Sequence, residues 1–369
     1  MKRFTSDFQR PVQRKRAERY LLTMLVCFGL SVALTRGFLE LSGYPQLGNS
    51  ELHIAHVLWG GLLLFAAVLV LLMFANPWVY QLGAVLGGVG VGLFIDEVGK
   101  FITQSNDYFY PWAAPIIYAF FLLTVLIYMR VNRRRPDDPR SAMYHALDVL
   151  SEILDRDLEP GEKGELMHHL QAASREDQNK DLKRLSLLLL RFVQQENLQL
   201  APEKPDFWPR WEARVKKWEK GYFSRRRFKW ILILGLGGQA IIAYLELAFV
   251  LGVQYFPEEI SETLIDLVLA GQVNGVQGVR WFAAFSALSG GIGVLFVVAI
   301  VLCVLGKEGT GFNYAYAGLL LELTAANLLA FYFDQFSTIF FALVQLILLI
   351  AIVRYQKRFL TEDSVSIEL

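Results

Sequence analysis

The sequence predicts an all-α, polytopic membrane protein with about eight transmembrane helices, arranged as two parallel four-helix repeats with a cytoplasmic helical insert. Three observations predict this fold. Hydrophobic residues make up 54% of the 369-residue chain. The apolar runs reach the about 20 residues that a helix needs to cross a bilayer. Acidic residues also recur in the same order in the two halves of the chain.

Each predicted span is an apolar run that ends at polar or basic residues. The eight spans cover roughly residues 20–41, 54–75, 80–103, 111–131, 229–253, 281–305, 312–333 and 336–355. The third span is the least apolar, and Glu322 and Asn327 interrupt the seventh. Cys27 and Cys303 fall inside spans and belong to no CxxC or Cys/His spacing, so we expect no disulfide framework.

Basic residues at the ends of four segments predict the orientation. They precede the first span, follow the fourth, precede the fifth and follow the eighth. By the positive-inside rule, both termini and residues 132–228 are cytoplasmic, and the chain is multi-pass in a plasma (inner) membrane. The predicted parts are a basic N-terminal segment, a first repeat, an insert with a membrane-surface helix, a second repeat and a tail. Their boundaries are 1–19, 20–131, 132–228, 229–355 and 356–369.

An internal repeat is indicated when residues 20–135 are laid over residues 229–358. Glu40 then coincides with Glu246, Asp96 matches Glu322, and Asp107 falls near Asp334. Because each half has four spans, both halves enter the membrane in the same direction, which predicts a parallel repeat about an axis along the membrane normal. No histidine or lysine of the second half matches those of the first half, so we interpret the first half as the active side and the second half as the supporting side.

The candidate ion- or proton-binding residues are the ionisable groups of the predicted spans and their outer ends. They are Glu40, Asp96, Glu97, Lys100, Asp107, Glu246, Glu322 and Asp334. A charged side chain at the bilayer centre costs roughly 2.5–3.5 kcal/mol on insertion scales, so such residues usually face a partner, a cavity or a substrate path. The predicted topology places the first-half group in the outer half of the membrane.

Spacing allows Lys100 to neutralise either Asp96 or Glu97 within one helix. The remaining negative charge is free to hold a cation, to take a proton, or to pair with Arg36 of the first span. The alternative is that these four groups form a buried ion-pair network that only locks three helices together.

His53 and His56 are three residues apart and project from one helix face, so both can ligate a metal or relay protons. With Asp96 or Glu97 they form a tentative set for a divalent metal, either zinc or iron. The alternative is that both are ordinary residues of the membrane interface.

The insert contains amphipathic runs near 141–156, 161–174 and 179–198, which predict a small helical unit. The mixture of tryptophan and basic residues over 208–220 predicts a helix on the anionic lipid headgroups of the cytoplasmic face. Nucleic-acid binding by this basic run is the weaker interpretation, and we expect none. The bilayer is the expected partner, and the sequence assigns no oligomeric state.

The chain has no HExxH, no ATP-binding signature and no serine-histidine-acid arrangement. The preferred hypothesis is a cation- or proton-coupled transporter with a polar site in the outer half of the membrane. The alternative is a membrane-embedded, metal-dependent, hydrolase-like enzyme that uses His53, His56 and carboxylates. A further alternative is a membrane sensor or assembly protein. No catalytic residue is assigned.

Overall fold

The structure, a computed structural model, describes residues 11–43, 55–108, 110–132, 138–175, 179–195, 198–202, 224–255, 275–333 and 337–360. This part of the chain is helical and contains no strand, so the all-α prediction is confirmed. Eight helices of the described part are long and apolar enough to cross a membrane, when the run Glu308–Phe333, which contains a π turn, is counted as one. Many of their large apolar side chains are exposed, such as Leu234 and Phe340, as expected of surfaces that face lipid.

The helices are numbered here in chain order. They are α1 (Ala17–Ser42), α2 (His56–Met73), α3 (Trp78–Ile95), α4 (Val98–Ile102), α5 (Ala113–Val131), α6 (Pro139–Leu154), α7 (Pro160–Ser174), α8 (Lys180–Gln195), α9 (Arg225–Tyr255), α10 (Gly275–Val304), α11 (Glu308–Leu321), α12 (Asn327–Phe333) and α13 (Ser337–Phe359). A single π-helical turn, Glu322–Ala326, joins α11 to α12. By contacts, the chain divides into a first unit of Met1–Phe94 with Leu123–Glu212 and a second unit of Ile95–Leu122 with Ala213–Leu369.

In the first unit, glycines let α1, α2 and α3 approach closely. A Cβ atom built on Gly60 of α2 would lie only 2.7 Å from the backbone nitrogen of Phe94. A Cβ on Gly92 of α3 would lie 2.6 Å from the Cβ of Ser31 in α1. Small residues at helix contacts therefore bring these backbones together, as is common between membrane helices.

The first unit also contains α6, α7 and α8, which pack around their own apolar core. The helix α7 begins with a capping box. The Glu159 side chain accepts a hydrogen bond from the backbone N–H of Glu162, and the Glu162 side chain accepts one from the backbone N–H of Glu159. The N-terminal segment before α1 binds this bundle through ion pairs. Lys15 Nζ lies 2.8 Å from Glu165, and Arg16 lies 3.0 Å from Glu162.

The predicted third span, 80–103, is not one continuous helix. It ends as α3 at Ile95, and the short α4 begins at Val98 after a turn at Asp96 and Glu97. Both acidic side chains are buried at this turn. The physical reason is that the turn lets the two carboxylates reach partners at Tyr108 and Lys100, described below.

In the second unit, α9, α10, α11 and α13 pack around one apolar core. Its most deeply buried members include Leu236, Phe296, Phe312 and Ile352. Glu308 lies at one end of this core, where Lys229 Nζ is 3.0 Å and Arg225 is 3.2 Å from its carboxylate. These ion pairs tie the start of α9 to the start of α11.

Candidate functional site

A cavity of about 290 Å³ lies among the helices of the second unit. Helices α9, α10 and α13 line it together with the α11–π turn–α12 segment. Its lining residues are Gln239, Ile242, Ala243, Glu246, Phe282, Phe285, Ser289, Glu322, Ala326, Asn327, Ala330, Phe333, Thr338, Phe341 and Gln345. We call this space the Glu322 cavity.

Two carboxylates face the Glu322 cavity. Glu322 is 7% exposed, and its Oε2 atom has no hydrogen-bond donor among the described residues. Glu246 is half-buried and is bonded by the Ser289 hydroxyl. The charges of Glu246 and Glu322 are close enough to act on each other. A buried acceptor without a donor is costly, so this atom has a built-in need for a proton or a cation.

Neutral polar groups complete the polar side of the cavity. Asn327 Nδ2 donates a hydrogen bond of 2.7 Å to Gln345 Oε1, and both side chains are buried. Gln239 of α9 and Thr338 of α13 are also buried, and both line the cavity. The cavity thus presents carboxylate, amide and hydroxyl oxygens, which are the ligands that hard cations prefer.

The π turn determines where Glu322 points. The Asn327 backbone N–H donates to the Glu322 carbonyl five residues earlier, in place of the usual four. The Tyr118 hydroxyl donates to the Leu323 carbonyl in the same turn, at 2.5 Å. The Tyr118 ring also packs on Phe331, with ring centroids 4.6 Å apart. Single π turns inside α-helices are often found at functional sites, and this one has a tyrosine that satisfies its backbone.

Aromatic rings form one wall of the cavity. Phe282 packs edge-on against Phe333, with ring centroids 5.4 Å apart, and lies 6.4 Å from the ring of Phe285. Phe341 adds a fourth ring to the lining. The carboxylates therefore face an apolar, aromatic surface, where water screens charges poorly.

A buried apolar layer lies between the cavity and the Glu308 end of the unit. Leu236, Leu319 and Leu348 lie about one helical turn from Gln239, Glu322 and Gln345, respectively, and all three leucines belong to the buried apolar core. Beyond them, the Tyr355 hydroxyl and Lys229 both bond Glu308. An apolar layer and an ion-pair cluster thus separate the cavity from this end of the helices.

The acids of the α3–α4 turn form a second, separate polar cluster in the second unit. The Tyr108 hydroxyl donates to Asp96 at 2.6 Å. Lys100 Nζ lies 3.2 Å from the Glu97 carboxylate, with which it forms an ion pair. The same Nζ atom lies 5.3 Å from the centre of the Tyr108 ring. Asp96 and Glu97 are almost fully buried, and so is Arg36, on α1 of the first unit.

The other predicted site residues that the structure describes do not line the cavity. Glu40 lies exposed in the last turn of α1, and Asp107 is exposed after α4. His56 is the first residue of α2 and is partly exposed. His53 and Asp334 lie outside the described residues. Within the described ranges, no group of three or more His, Cys, Asp or Glu side chains is arranged to hold a metal ion. The tentative zinc or iron set of His53 and His56 stays a prediction.

The sequence shows Gln239, Glu246, Glu322 and Asn327 as polar residues of the spans, but the remaining residues of the cavity were not predicted. Gln345 is a single polar residue in an apolar run, so the sequence could have indicated it. The phenylalanines carried no such signal, because nothing in a span rich in phenylalanine shows which rings face inward.

The comparisons with known proteins add no relative. No protein-family model matches the chain, and neither the curated proteins nor the solved structures give a significant match.

Proposed function

We propose that this protein is a multi-pass membrane transporter that binds a cation or proton in the Glu322 cavity. The observation that carries the proposal is the buried Glu322 carboxylate, whose Oε2 atom has no hydrogen-bond donor among the described residues and which faces a cavity shared with Glu246. Two adjacent carboxylates in a poorly screened space favour the uptake of one positive charge. Such a pair in membrane-type helices is costly without a role in binding or transport.

The interrupted seventh span supports this proposal. Transporters commonly build their sites where a membrane helix is broken, because the irregular turn frees polar groups at mid-membrane depth. Here the π turn begins at Glu322, the residue whose carboxylate faces the cavity. The interruption and the binding group thus coincide.

The proposed orientation places the cavity in the outer half of a plasma (inner) membrane. The basic residues at the start of α9 and the end of α13 are cytoplasmic by the positive-inside rule. Glu322 is 14 residues beyond Glu308, and a helix rises 1.5 Å per residue, so it lies about 21 Å further along a membrane core about 30 Å thick. The apolar layer on the Glu308 side would then be the closed cytoplasmic path.

A parallel repeat remains part of the proposal. The matching acids, Asp96 and Glu322, both lie at an irregularity in the third membrane helix of their half. A turn ends α3 before Asp96, and a π turn begins at Glu322. This shared position supports a duplication in which the two halves have taken different roles.

Residues 132–228 are proposed to be a cytoplasmic insert. Its helices α6 and α7 bind the basic segment that precedes α1, through pairs such as Arg14 with Asp148 at 3.3 Å. The insert would therefore be held at the cytoplasmic end of the first helix. The lipid bilayer, with anionic headgroups at this face, is its proposed surroundings, and we propose no nucleic-acid partner.

The metal-dependent alternative depends on His53, His56 and a carboxylate, and because His53 lies outside the described residues, that set stays a prediction. Two carboxylates of the transport hypothesis, Glu246 and Glu322, in contrast line one cavity. For this reason we place transport first.

The test is flux in liposomes that contain the purified full-length protein and an internal dye that responds to protons, to sodium or to potassium, with one ion measured in each assay. We expect an imposed membrane potential to drive proton, sodium or potassium entry in the wild type. Glu322→Gln removes the buried charge and should reduce flux to the level of protein-free vesicles, whereas Glu322→Asp should retain part of it. Asp181→Asn, the same type of change on the exposed start of α8, is the matched control. Equal flux in the wild type and Glu322→Gln would reject the proposal.

A further inference from the structure

The Glu322 cavity is larger than an inorganic cation needs. Its volume of about 290 Å³ is close to the lower end of the range of about 300–1,000 Å³ that is usual for small-molecule sites. One water takes about 30 Å³ of liquid volume. The cavity therefore has room for a solute of several non-hydrogen atoms.

The charge of the lining selects the sign of that solute. Glu246 and Glu322 both face the space, and none of the described residues that line it is lysine, arginine or histidine. An anion would meet two negative charges in an apolar surrounding and find no basic partner. A cation would relieve the repulsion between the two carboxylates.

The aromatic wall selects the chemical class. Phe282, Phe285, Phe333 and Phe341 all line the cavity. An organic ammonium ion within about 6 Å of a ring centre is attracted by the negative face of the ring, and its carbon atoms gain from apolar contact. A hydrated metal ion would gain little from four phenylalanines. A cavity lined by both carboxylates and aromatic rings suits a molecule with a charged end and an apolar body.

We propose that the Glu322 cavity binds a small primary alkylammonium ion, with the ammonium group at Glu322 and Glu246 and the carbon chain against the phenylalanines. The inference rests on the proposed function, because it names the class of cation. A primary ammonium fits better than a quaternary one. It carries N–H donors that the Glu322 Oε2 atom lacks in this structure, whereas a quaternary ammonium has none.

The experiment is isothermal titration calorimetry on detergent-purified full-length protein with n-butylammonium, tetramethylammonium and neutral n-butanol as probes. We expect n-butylammonium to bind most tightly, tetramethylammonium to bind more weakly and n-butanol to give no measurable heat. Selectivity is read on the wild type, so this part does not depend on whether any variant folds. Equal affinity for the three probes, or no binding of n-butylammonium, would overturn the inference.

Two variants locate the site. Glu322→Gln should weaken n-butylammonium binding about ten- to a hundredfold, the range expected for a lost charged hydrogen bond. Phe285→Leu keeps an apolar side chain but removes one ring, and should weaken binding about two- to tenfold. Asp181→Asn is the control that should bind as the wild type does. Unchanged affinity in both cavity variants would place the binding elsewhere and reject the inference.

The outcome is separable from that of the proposed function. Glu322-dependent proton or metal-ion flux without n-butylammonium binding leaves the transport proposal standing and rejects the organic ligand. n-Butylammonium binding that depends on Glu322, with no flux of any ion or of the amine itself, supports the binding site and rejects transport.

Discussion

The contact between α1 and α3 gives the sharpest stability prediction. Gly88 of α3 lies against the backbone of α1, so a Cβ atom at this position would collide with the Met24 carbonyl oxygen and lie 2.7 Å from the Cβ of Cys27. Gly87 is next to it in the same helix, yet a Cβ there would meet nothing within 4 Å. Gly88→Ala and Gly87→Ala therefore form a matched pair.

The expected magnitude follows from two opposing effects. Replacing glycine by alanine inside a helix gains up to about 1 kcal/mol of helix propensity, and both variants share this gain. Forcing a methyl group into a packed contact costs about 1–3 kcal/mol. The cost at Gly88 should lie toward the upper end, because a backbone oxygen and a Cβ atom cannot move away as the tip of a flexible side chain can. We expect the free energy of unfolding of Gly88→Ala to be lower than that of Gly87→Ala by about 2–3 kcal/mol. The gain in helix propensity cancels in this difference because both variants share it.

The assay is denaturant unfolding of the two purified variants in detergent micelles, followed by tryptophan fluorescence, with the wild type alongside. Gly92→Ala gives an independent check, since its Cβ would lie 2.6 Å from the Cβ of Ser31. The reasoning is refuted if the free energies of unfolding of Gly88→Ala and Gly87→Ala agree within error, or if Gly88→Ala is the more stable of the two.

Two further predictions concern the polar contacts. Asn327→Leu should lower the free energy of unfolding by about 1–3 kcal/mol, because it leaves buried Gln345 without its 2.7 Å donor, and Asn327→Leu with Gln345→Leu should recover part of that loss in the same denaturant assay. In the α6–α8 bundle, a hydrogen bond from His169, and then Lys15, lower the pKa of Glu165 from its ordinary 4.5 to about 2. The contribution of ionised Glu165 to the free energy of unfolding is therefore fully present above pH 4.5 and is lost as pH falls toward 2. Because the Glu165 side chain is 43% exposed, we expect the loss to be below about 1 kcal/mol, and Glu165→Gln should show a smaller change in stability between pH 4.5 and 2 than the wild type. An equal acid-induced change in both proteins would contradict this.

The positions of the membrane-type helices were predictable because an apolar run of about 20 residues has few alternatives. The predicted fourth span, 111–131, corresponds to α5 at Ala113–Val131. The three amphipathic runs of the insert likewise correspond to α6, α7 and α8, since a repeating apolar face specifies a packed helix.

The prediction failed at the third span because hydropathy averages over a window and does not register a turn. The run from 80 to 103 is apolar enough to be one helix, but Asp96 and Glu97 end α3 and Val98 starts α4. The hydroxyl that bonds Asp96 belongs to Tyr108, twelve residues further along. A contact of this kind depends on how the chain folds back, which no local pattern contains.

The sequence by itself determined the class of the protein, its eight membrane-type helices and the acids among them, because apolar length and the cost of charge in lipid are local properties. Only the tertiary structure decided which acids meet. It assembled Glu246 and Glu322 in one cavity with Phe282 and Gln345, and it left Glu40 exposed at the end of α1. The physical reason is that helix rotation and the π turn at Glu322 set the direction of each side chain, and both depend on packing against neighbouring helices.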